Sequence, residues 1–548
     1  MQNKRQRARK LSGADIELGN FILSDDDDTA NSCYRAASAV LAATEGIPAS
    51  NYASPRRSSA CGYSVWSPYD SYGYDYGATS TNLQDQGRKF LTANGSSAYI
   101  DLGHFELAAA ETGSAQDHVA MHKALLGTAR QSLATANTGL AEGERIVLLA
   151  NNSDGQGASY GGHLNMLVTR SLWNEIFRDK VFPGLFVLCA YQVSSICFTG
   201  QGKVGAENNR PAVPFQLTQR GDFFECLMAE RTTFMRPLVN SRDEALCGSE
   251  SASANNPLAR LHVIFYDTNL ADASTYLKVG VMQLVTAMLE AGQGADNLIL
   301  EDPLSALLHW GHDPDLRATA KLLDGRRVTA VELQLLFLEA ARACAARGAF
   351  DGYVADANSI LDLWQDTLLK LEERDFHALS TRLDWVIKRT IIDRAIAAEP
   401  DMSWESPRAK YLDLMYSSVA AEEGLFWQME QAGFVERLVS EADIARFASL
   451  PPEDTRAWTR ATLLGIAGAE QVERIDWDTI TFRLRGVGAI QRKVLTLADP
   501  SAFTRARVEP LIAEADSLAE ILDALGAVDV PSGNGTANAS PVSGSHFG

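Results

Sequence analysis

An α+β fold follows from three features of this 548-residue sequence. Short strand-like runs alternate irregularly with helical segments between residues 97 and 265. From residue 274 onward the pattern turns helical. A segment with one helix and a further β run at residues 478–484, beyond Pro451-Pro452, predicts a separate small unit. A hydrophobic fraction of 46% with 22% charged residues permits a large core and excludes collagen-like, coiled-coil and wholly disordered chains.

In order along the chain, residues 1–10 read as a basic N-terminal extension. Residues 11–19 alternate apolar and polar, the period of a half-buried strand. From residue 24 to 94 Asp, Ser, Ala, Gly and Tyr dominate, with an acid run at 25–28 and a Tyr/Gly stretch at 69–76. That composition predicts a long loop carrying one helix (32–44) and a lid-like insert over about 45–94. Strand-like runs follow at 98–102, 145–149, 185–188 and 260–265. Helices are expected at 275–291, 330–347 and across 359–398, where apolar residues recur at three- and four-residue spacing and form a layer over one sheet face. The pattern breaks near 425. We therefore expect a main catalytic domain over 11–424, a small C-terminal domain over 425–528 and a disordered Gly/Ser/Asn/Pro-rich tail over 529–548.

Asp and Glu number 69 against 49 Lys and Arg, a net charge of −20. A general nucleic-acid binder needs a basic footprint, so nucleic acid is not an expected partner. Neither is a membrane, since no run approaches 18 uninterrupted apolar residues and the basic start leads into polar sequence. A cytoplasmic location is expected. The seven cysteines are scattered without a C-x-x-C pair and read as reduced thiols.

Residues two apart on a strand share a face. Asp15 and Glu17 therefore project together opposite Ala14, Ile16 and Leu18. Tyr99 pairs likewise with Asp101, and Arg260 with His262. Neighbouring strands would unite these into a surface of carboxylates, an imidazole and a guanidinium, suited to metal and phosphate. Each alternation equally fits the wet face of an ordinary antiparallel sheet. The loop at 151–165, N-N-S-D-G-Q-G-A-S-Y-G-G-H-L-N, offers glycine amides to an anion and His163 to a metal. Gly200-Gln201-Gly202-Lys203-Val204-Gly205 matches G-x-G-x-x-G literally, but no helix signal follows and the dinucleotide reading is rejected. Arg220 and Arg242 are candidate phosphate clamps or ordinary surface ion pairs. No G-x-S-x-G, P-loop or H-E-x-x-H is present.

Taken in order, these segments resemble the family that contains the prokaryotic ubiquitin-like protein (Pup) ligase and the Pup deamidase/depupylase, relatives of glutamine synthetase. The match runs through residues 13–19, Tyr99-Ile100-Asp101 with Glu106, the 151–165 loop, N-S-R-D-E at 240–244, R-L-H-V-I at 260–264, residues 267–280 and D-W-V-I-K-R at 384–389. The resemblance implies a glutamine synthetase-like curved antiparallel sheet backed by helices, with a small C-terminal domain flanking ATP and Mg²⁺. It implies Asp15, Glu17, Glu106, His163 and His262 as metal ligands, Arg220 and Arg242 on the ATP phosphates, Asp101 as the catalytic carboxylate and Tyr99 beside the metal. Asp15 replaces the family's first Glu, and Leu164 replaces the Glu after the His. Phe105 and Leu107 replace the Pro and Tyr around Glu106.

The long insert between Glu17 and Tyr99 resembles the depupylase branch. The leading expectation is an ATP-dependent amidohydrolase cleaving a γ-glutamyl amide or isopeptide bond between a Pup-like modifier and lysine. The alternatives are a ligase forming that bond through a γ-glutamyl phosphate, and a non-catalytic paralogue that binds nucleotide or modifier. Because such modifiers are acidic, a local positive groove is expected, drawing on Lys278 and Arg389.

Overall fold

The structure, a computed structural model, describes residues 6–24, 32–49, 85–179, 181–244, 256–293, 295–485 and 490–530. The acid run at 25–28, most of the lid-like insert, the tail from 531, Cys61 and Cys247 lie outside them. The described cysteines, among them Cys33, Cys189, Cys197, Cys226 and Cys344, are free thiols.

The alternation at the start of the chain becomes β1 (Ser12–Leu23), the centre of an eight-stranded antiparallel sheet. Its other strands are β2 (Ile47–Pro48), β3 (Gln86–Phe90), β4 (Ser97–Asp101), β5 (His104–Ala108), β6 (Arg145–Leu149), β7 (Gly162–Thr169) and β12 (Leu258–Val263). The order is β12-β7-β1-β5-β4-β3-β2, and β6 pairs with the second half of β1. One face is mainly apolar, with Ser12 and Asn20 of β1 as buried polar residues that meet His118 and Cys33. Ala14, Ile16 and Leu18 of β1, Phe105 and Leu107 of β5, Leu164 and Met166 of β7, and Leu261 and Val263 of β12 all enter the core. Each large side chain buried there contributes about 1.5–3 kcal/mol.

Helices α1 (Ser32–Ala43), α2 (Ala115–Asn137) and α5 (Asp272–Ala291) cover that face. Behind them lie α4 (Val181–Thr199), α6 (Pro303–Gly311), α7 (Ala330–Ala345) and α8 (Ala357–Glu373); the short α3 (Arg170–Asn174) leads out of β7. The sequence 359–398 divides into α8, α9 (Phe376–Leu379) and α10 (Asp384–Ala398), and α11 (Pro407–Tyr416), α12 (Leu425–Gln431) and α13 (Glu441–Ser449) follow. Gly280 lets α5 meet α8 closely, since a Cβ there would fall 2.8 Å from Ile360 Cγ1. Three two-stranded ribbons complete this part: β8 (Lys203–Val204) with β9 (Phe215–Gln216), β10 (Phe224–Ala229) with β11 (Arg236–Asn240), and β13 (Ala320–Lys321) with β14 (Arg327–Val328).

Four expectations need correction. The run at 185–188 is not a strand but the middle of α4, a helix apolar on all sides and therefore central to the core. It is also long and apolar enough to cross a membrane, yet it is mostly buried within the protein. Residues 7–10 are no loose extension. Lys10 is fully buried with its ammonium 2.6 Å from Glu290, and its main-chain N–H donates to the Tyr353 carbonyl. Burial pushes the Lys10 ammonium down to about 8, against the attraction of Glu290.

The last two concern the C-terminal end. Residues 425–449 belong to the main core through Phe426, Trp427, Val435, Val439 and Phe447. The separate core starts only within α14 (Arg456–Gln471), at Leu463. A second antiparallel sheet, β15 (Val472–Ile475), β16 (Thr479–Arg485), β17 (Ile490–Thr496) and β18 (Val528–Val530), packs there with α15 (Arg505–Glu514) and α16 (Leu518–Ala524), so three helices stand where one is expected. Ile47 and Phe90 of the main sheet join this core. Glu111 pins the joint by accepting from Arg456 Nε at 2.7 Å and Arg460 Nη2 at 2.9 Å.

Candidate active site

Strand register brings the polar side chains together. Glu17 of β1 lies opposite Glu106 of β5, which lies opposite Tyr99 of β4, and Asp101 closes the same hairpin opposite His104. On the other side of β1, Asp15 lies opposite His163 of β7, and the next rung sets Asn165 opposite His262 of β12. All of these occupy the face turned away from the helices.

Glu17, Asp101 and Glu106 each offer an oxygen, and the three lie within 4.8 Å of one another. His163 Nε2 is 3.8 Å from Glu17 and Nδ1 is 3.9 Å from Asp15. The His163 and His262 rings sit 5.0 Å apart. Asn165 donates Nδ2 to Asp15 Oδ2 at 2.9 Å. Nδ1 of His262 lies 2.9 Å from both Asn165 Oδ1 and Arg260 Nη1, which leaves Nε2 as the ring nitrogen free of these contacts.

Charge is crowded here. Burial, then Glu17 and Asp101, push the Glu106 carboxyl well above the carboxylate range; Tyr99 O–H donates to it. Burial and the nearby Glu17 raise Asp101 to about 7, against a main-chain N–H from Asp85 and the charge of Arg242. Burial opposes ionisation of Glu17, yet His163, His104, the Gly161 amide and Arg220 hold its carboxyl below the ordinary value. That amide donates at 2.7 Å. Burial lowers both His163 and His262, leaving neutral imidazoles. Hard oxygens crowded beside neutral imidazoles are the donor set a divalent cation would relieve.

Next to Asp15 the face opens into a cleft of roughly 90 Å³. Leu11, Met166, Arg260, Arg456, Trp477 and Pro500 are among its walls, so the C-terminal unit closes one side. The 200–205 turn forms β8 and no helix begins there.

Two expected site residues stand elsewhere. Lys278 lies inside α5, 5% exposed, and donates to the Asp267 carbonyl at 3.0 Å; burial lowers it to about 8. It cannot reach a protein modifier. Arg389 is engaged on the surface of α10 with Asp315 at 3.3 Å and Asp393 at 3.6 Å. Arg220 is buried near Glu17, whereas Arg242 is half-exposed and paired with Glu244 at 3.2 Å. Leu164 points into the core, opposite to His163. Phe105 and Leu107 are core residues likewise.

Sequence reasoning passed over Arg88, whose guanidinium stacks 3.8 Å from the centre of the Tyr99 ring and donates to Ser97 Oγ at 2.9 Å. It also passed over His104, stacked 4.3 Å from Tyr160, and Arg236. His104 was within reach of the period-two rule, being two residues from Glu106.

Residues 10–481 match the family described as Pup-ligase protein. The chain belongs to this family. A depupylase of Acidothermus cellulolyticus is 37% identical over 79% of this chain and 83% of its own length. The Pup deamidase/depupylase of Mycolicibacterium smegmatis is 32% identical over 94% of this chain and 99% of its own. A Pup–protein ligase of Acidimicrobium ferrooxidans is 34% identical over 76% of this chain and 88% of its own. Among solved structures, the Pup ligase PafA in complex with Pup superposes with a TM-score of 0.72 at 26% identity, over 94% of this chain and 95% of that one. PafA in complex with ADP gives 0.66 at 27% identity, over 78% and 89%. The Pup-ligase family thus shares this antiparallel sheet backed by helices.

Proposed function

We propose that the protein is an ATP-dependent amidohydrolase that cleaves the γ-glutamyl amide or isopeptide bond between a Pup-like modifier and lysine. The observation that carries this reading is Asp101, a carboxyl raised to about 7 at the rim of a three-carboxylate row, in a chain that aligns with a Pup deamidase/depupylase along nearly its whole length. A group with that proton affinity takes a proton from an attacking water and returns it to the departing amine near neutrality.

The donors suit a magnesium nucleotide. Arg220 Nε is buried without a hydrogen-bond partner, a cleft opens beside Asp15, and the row is rich in hard oxygens. Glu17, Glu106 and Asp15, with His163 and His262, would hold the metal, and the cleft beneath Trp477 would take the nucleoside. When bound, the magnesium ion would supply positive charge and the nucleotide phosphoryl chemistry. The chain's own residues do the rest. Asn165 and the Gly161 amide orient Asp15 and Glu17, and Tyr99 orients Glu106.

Incubation of a modifier–lysine conjugate with the protein, ATP and Mg²⁺ should release the modifier; its full retention would refute the proposal. Ligase chemistry is the second reading, favoured by the likeness to PafA. It predicts one ADP formed for each conjugate made.

A further inference from the structure

The hairpin that carries Asp101 turns in two residues, Leu102 and Gly103, with Asp101 paired to His104 across it. Their φ angles are +48° and +91°. Positive φ at both central positions marks the type I′ turn, whose twist suits a hairpin and whose first place is normally taken by Asn, Asp or Gly. Here that place holds Leu. A bulky side chain in the left-handed region crowds the following carbonyl and costs free energy that Asn or Gly avoids.

Such strain persists only where the surroundings fix it, and it clusters at functional sites. Among the described residues, three other bulky apolar side chains share the left-handed region: Met235, Leu316 and Phe503. Leu316 is 7% exposed in the main core, and Phe503 packs against the second core. Met235 is exposed, but its carbonyl accepts the Cys226 thiol at 3.0 Å within its own ribbon. Leu102 has no comparable contact. It is 43% exposed and belongs to no apolar cluster of the described residues. The tip on which it stands is nevertheless fixed, because Asn20 donates Nδ2 to the Gly103 carbonyl at 3.0 Å and accepts the Phe105 N–H at 2.8 Å.

We propose that Leu102 is a specificity-determining residue, an exposed apolar platform that packs against the alkyl stem of the lysine whose isopeptide bond is cut at Asp101. This rests on the amidohydrolase reading, in which Asp101 returns a proton to the departing amine. That amine is the lysine Nζ, so it comes within hydrogen-bond reach of the Asp101 carboxylate, and four methylene groups follow it. The stem runs outward from Asp101, because the lysine belongs to a protein that stays outside the site. Leu102 is the next residue of the chain, its Cα about 3.8 Å from that of Asp101. A fixed leucine against the stem removes apolar surface of both from water. A primary γ-amide, which releases ammonia, has no stem and gains nothing from this contact.

The test uses the full-length protein with ATP and Mg²⁺, and Pup in three forms: conjugated to a protein lysine, as its γ-butylamide and as its primary γ-amide. The butylamide supplies the four carbons of the stem without a target protein. For wild type, Leu102→Asn and Leu102→Met, kcat/KM is measured on each substrate, and melting temperatures are measured without ligand. Asn suits the left-handed region, so Leu102→Asn should melt at or above wild type. Its kcat/KM on conjugate and on butylamide should fall about 5- to 30-fold relative to the primary amide. Leu102→Met restores an apolar contact and should keep the wild-type ratios. Unchanged ratios in Leu102→Asn, with wild type active, overturn this assignment alone. A loss confined to the protein conjugate overturns it as well, since the contact is then with the target's surface and not with the stem. Wild-type protein that releases nothing from any of the three overturns the amidohydrolase reading and this assignment with it. Should Leu102→Asn fail to fold, Leu102→Gly, which adopts the same turn without a side chain, is read in its place against the same ratios.

Discussion

Replacing Glu106 by Gln keeps the shape of the carboxylate row and removes one of its charges. The amide oxygen can accept the Tyr99 hydroxyl as the carboxylate does. Glu17, Asp101 and Glu106 present oxygens within 4.8 Å of one another. At such spacing two full charges repel by about 3.5 kcal/mol at an effective dielectric constant of about 20. Burial and then its neighbours raise the Glu106 carboxyl well above its ordinary value of 4.5, so the folded protein retains a proton there that the unfolded chain releases. The stability this confers is complete below pH 4.5 and is lost as pH rises toward the folded-state value.

In EDTA, wild type and Glu106→Gln should therefore unfold in urea at the same denaturant concentration near the acid end of the range. At about pH 8 the variant should be more stable by about 1–3 kcal/mol, less than the full Coulomb figure because the wild type escapes part of it by protonation. Added Mg²⁺ should stabilise wild type strongly and the variant weakly, with the midpoint of the Mg²⁺ titration raised about tenfold or more. A variant less stable than wild type at pH 8 in EDTA, with an unchanged Mg²⁺ midpoint, would reduce the row to the wet face of a sheet and refute the reasoning.

Asp101→Asn should cut modifier release by about 10²–10⁴-fold while leaving ADP affinity and melting temperature near wild type, read by conjugate cleavage and calorimetry. Burial works against ionisation of Glu111, but Arg460 and Arg456 hold its carboxyl down to about 2. That contributes about 3 kcal/mol above its ordinary value of 4.5, lost as pH falls toward 2, so Glu111→Gln should destabilise at pH 7 and flatten the acid limb of a melting-temperature profile. Lys278→Ala should lower the melting temperature and leave modifier affinity of the folded fraction unchanged, since its ammonium is spent on the Asp267 carbonyl. Arg389→Gln should change stability by less than about 0.5 kcal/mol and release of the modifier not at all, because its partners are exposed.

Much of the site was legible because a strand sorts its side chains by parity. Asp15 with Glu17, Tyr99 with Asp101, and Arg260 with His262 each fall on one face in the sequence, and register alone then aligns Glu17, Glu106 and Tyr99. The same rule explains Leu164, whose neighbour His163 faces the other way. What parity cannot supply is depth. Lys278 looks like a free cation in the sequence, but α5 is buried on nearly all sides and its ammonium is turned to a main-chain carbonyl. The run at 185–188 reads equally as strand or helix because an apolar segment without periodicity carries no geometry. The C-terminal boundary was misplaced for a related reason: the break at 425 is a turn between core helices, while the start of the second core falls inside α14, where the helical pattern continues. Arg236 carries no signal in its own segment. Its burial beside Arg220 is a property of folded neighbours.

The apolar helix α4 has a consequence for synthesis. It packs against α5 and α7, whose last residues are 92 and 146 positions further along the chain. At about 5–20 residues per second, a ribosome needs roughly 7–30 s after finishing α4 to deliver α7. Throughout that interval the nascent chain displays a greasy nineteen-residue segment with its covering partners still unmade. Holding chaperones should engage this stretch, and yield in heterologous expression should respond to translation speed downstream of residue 199.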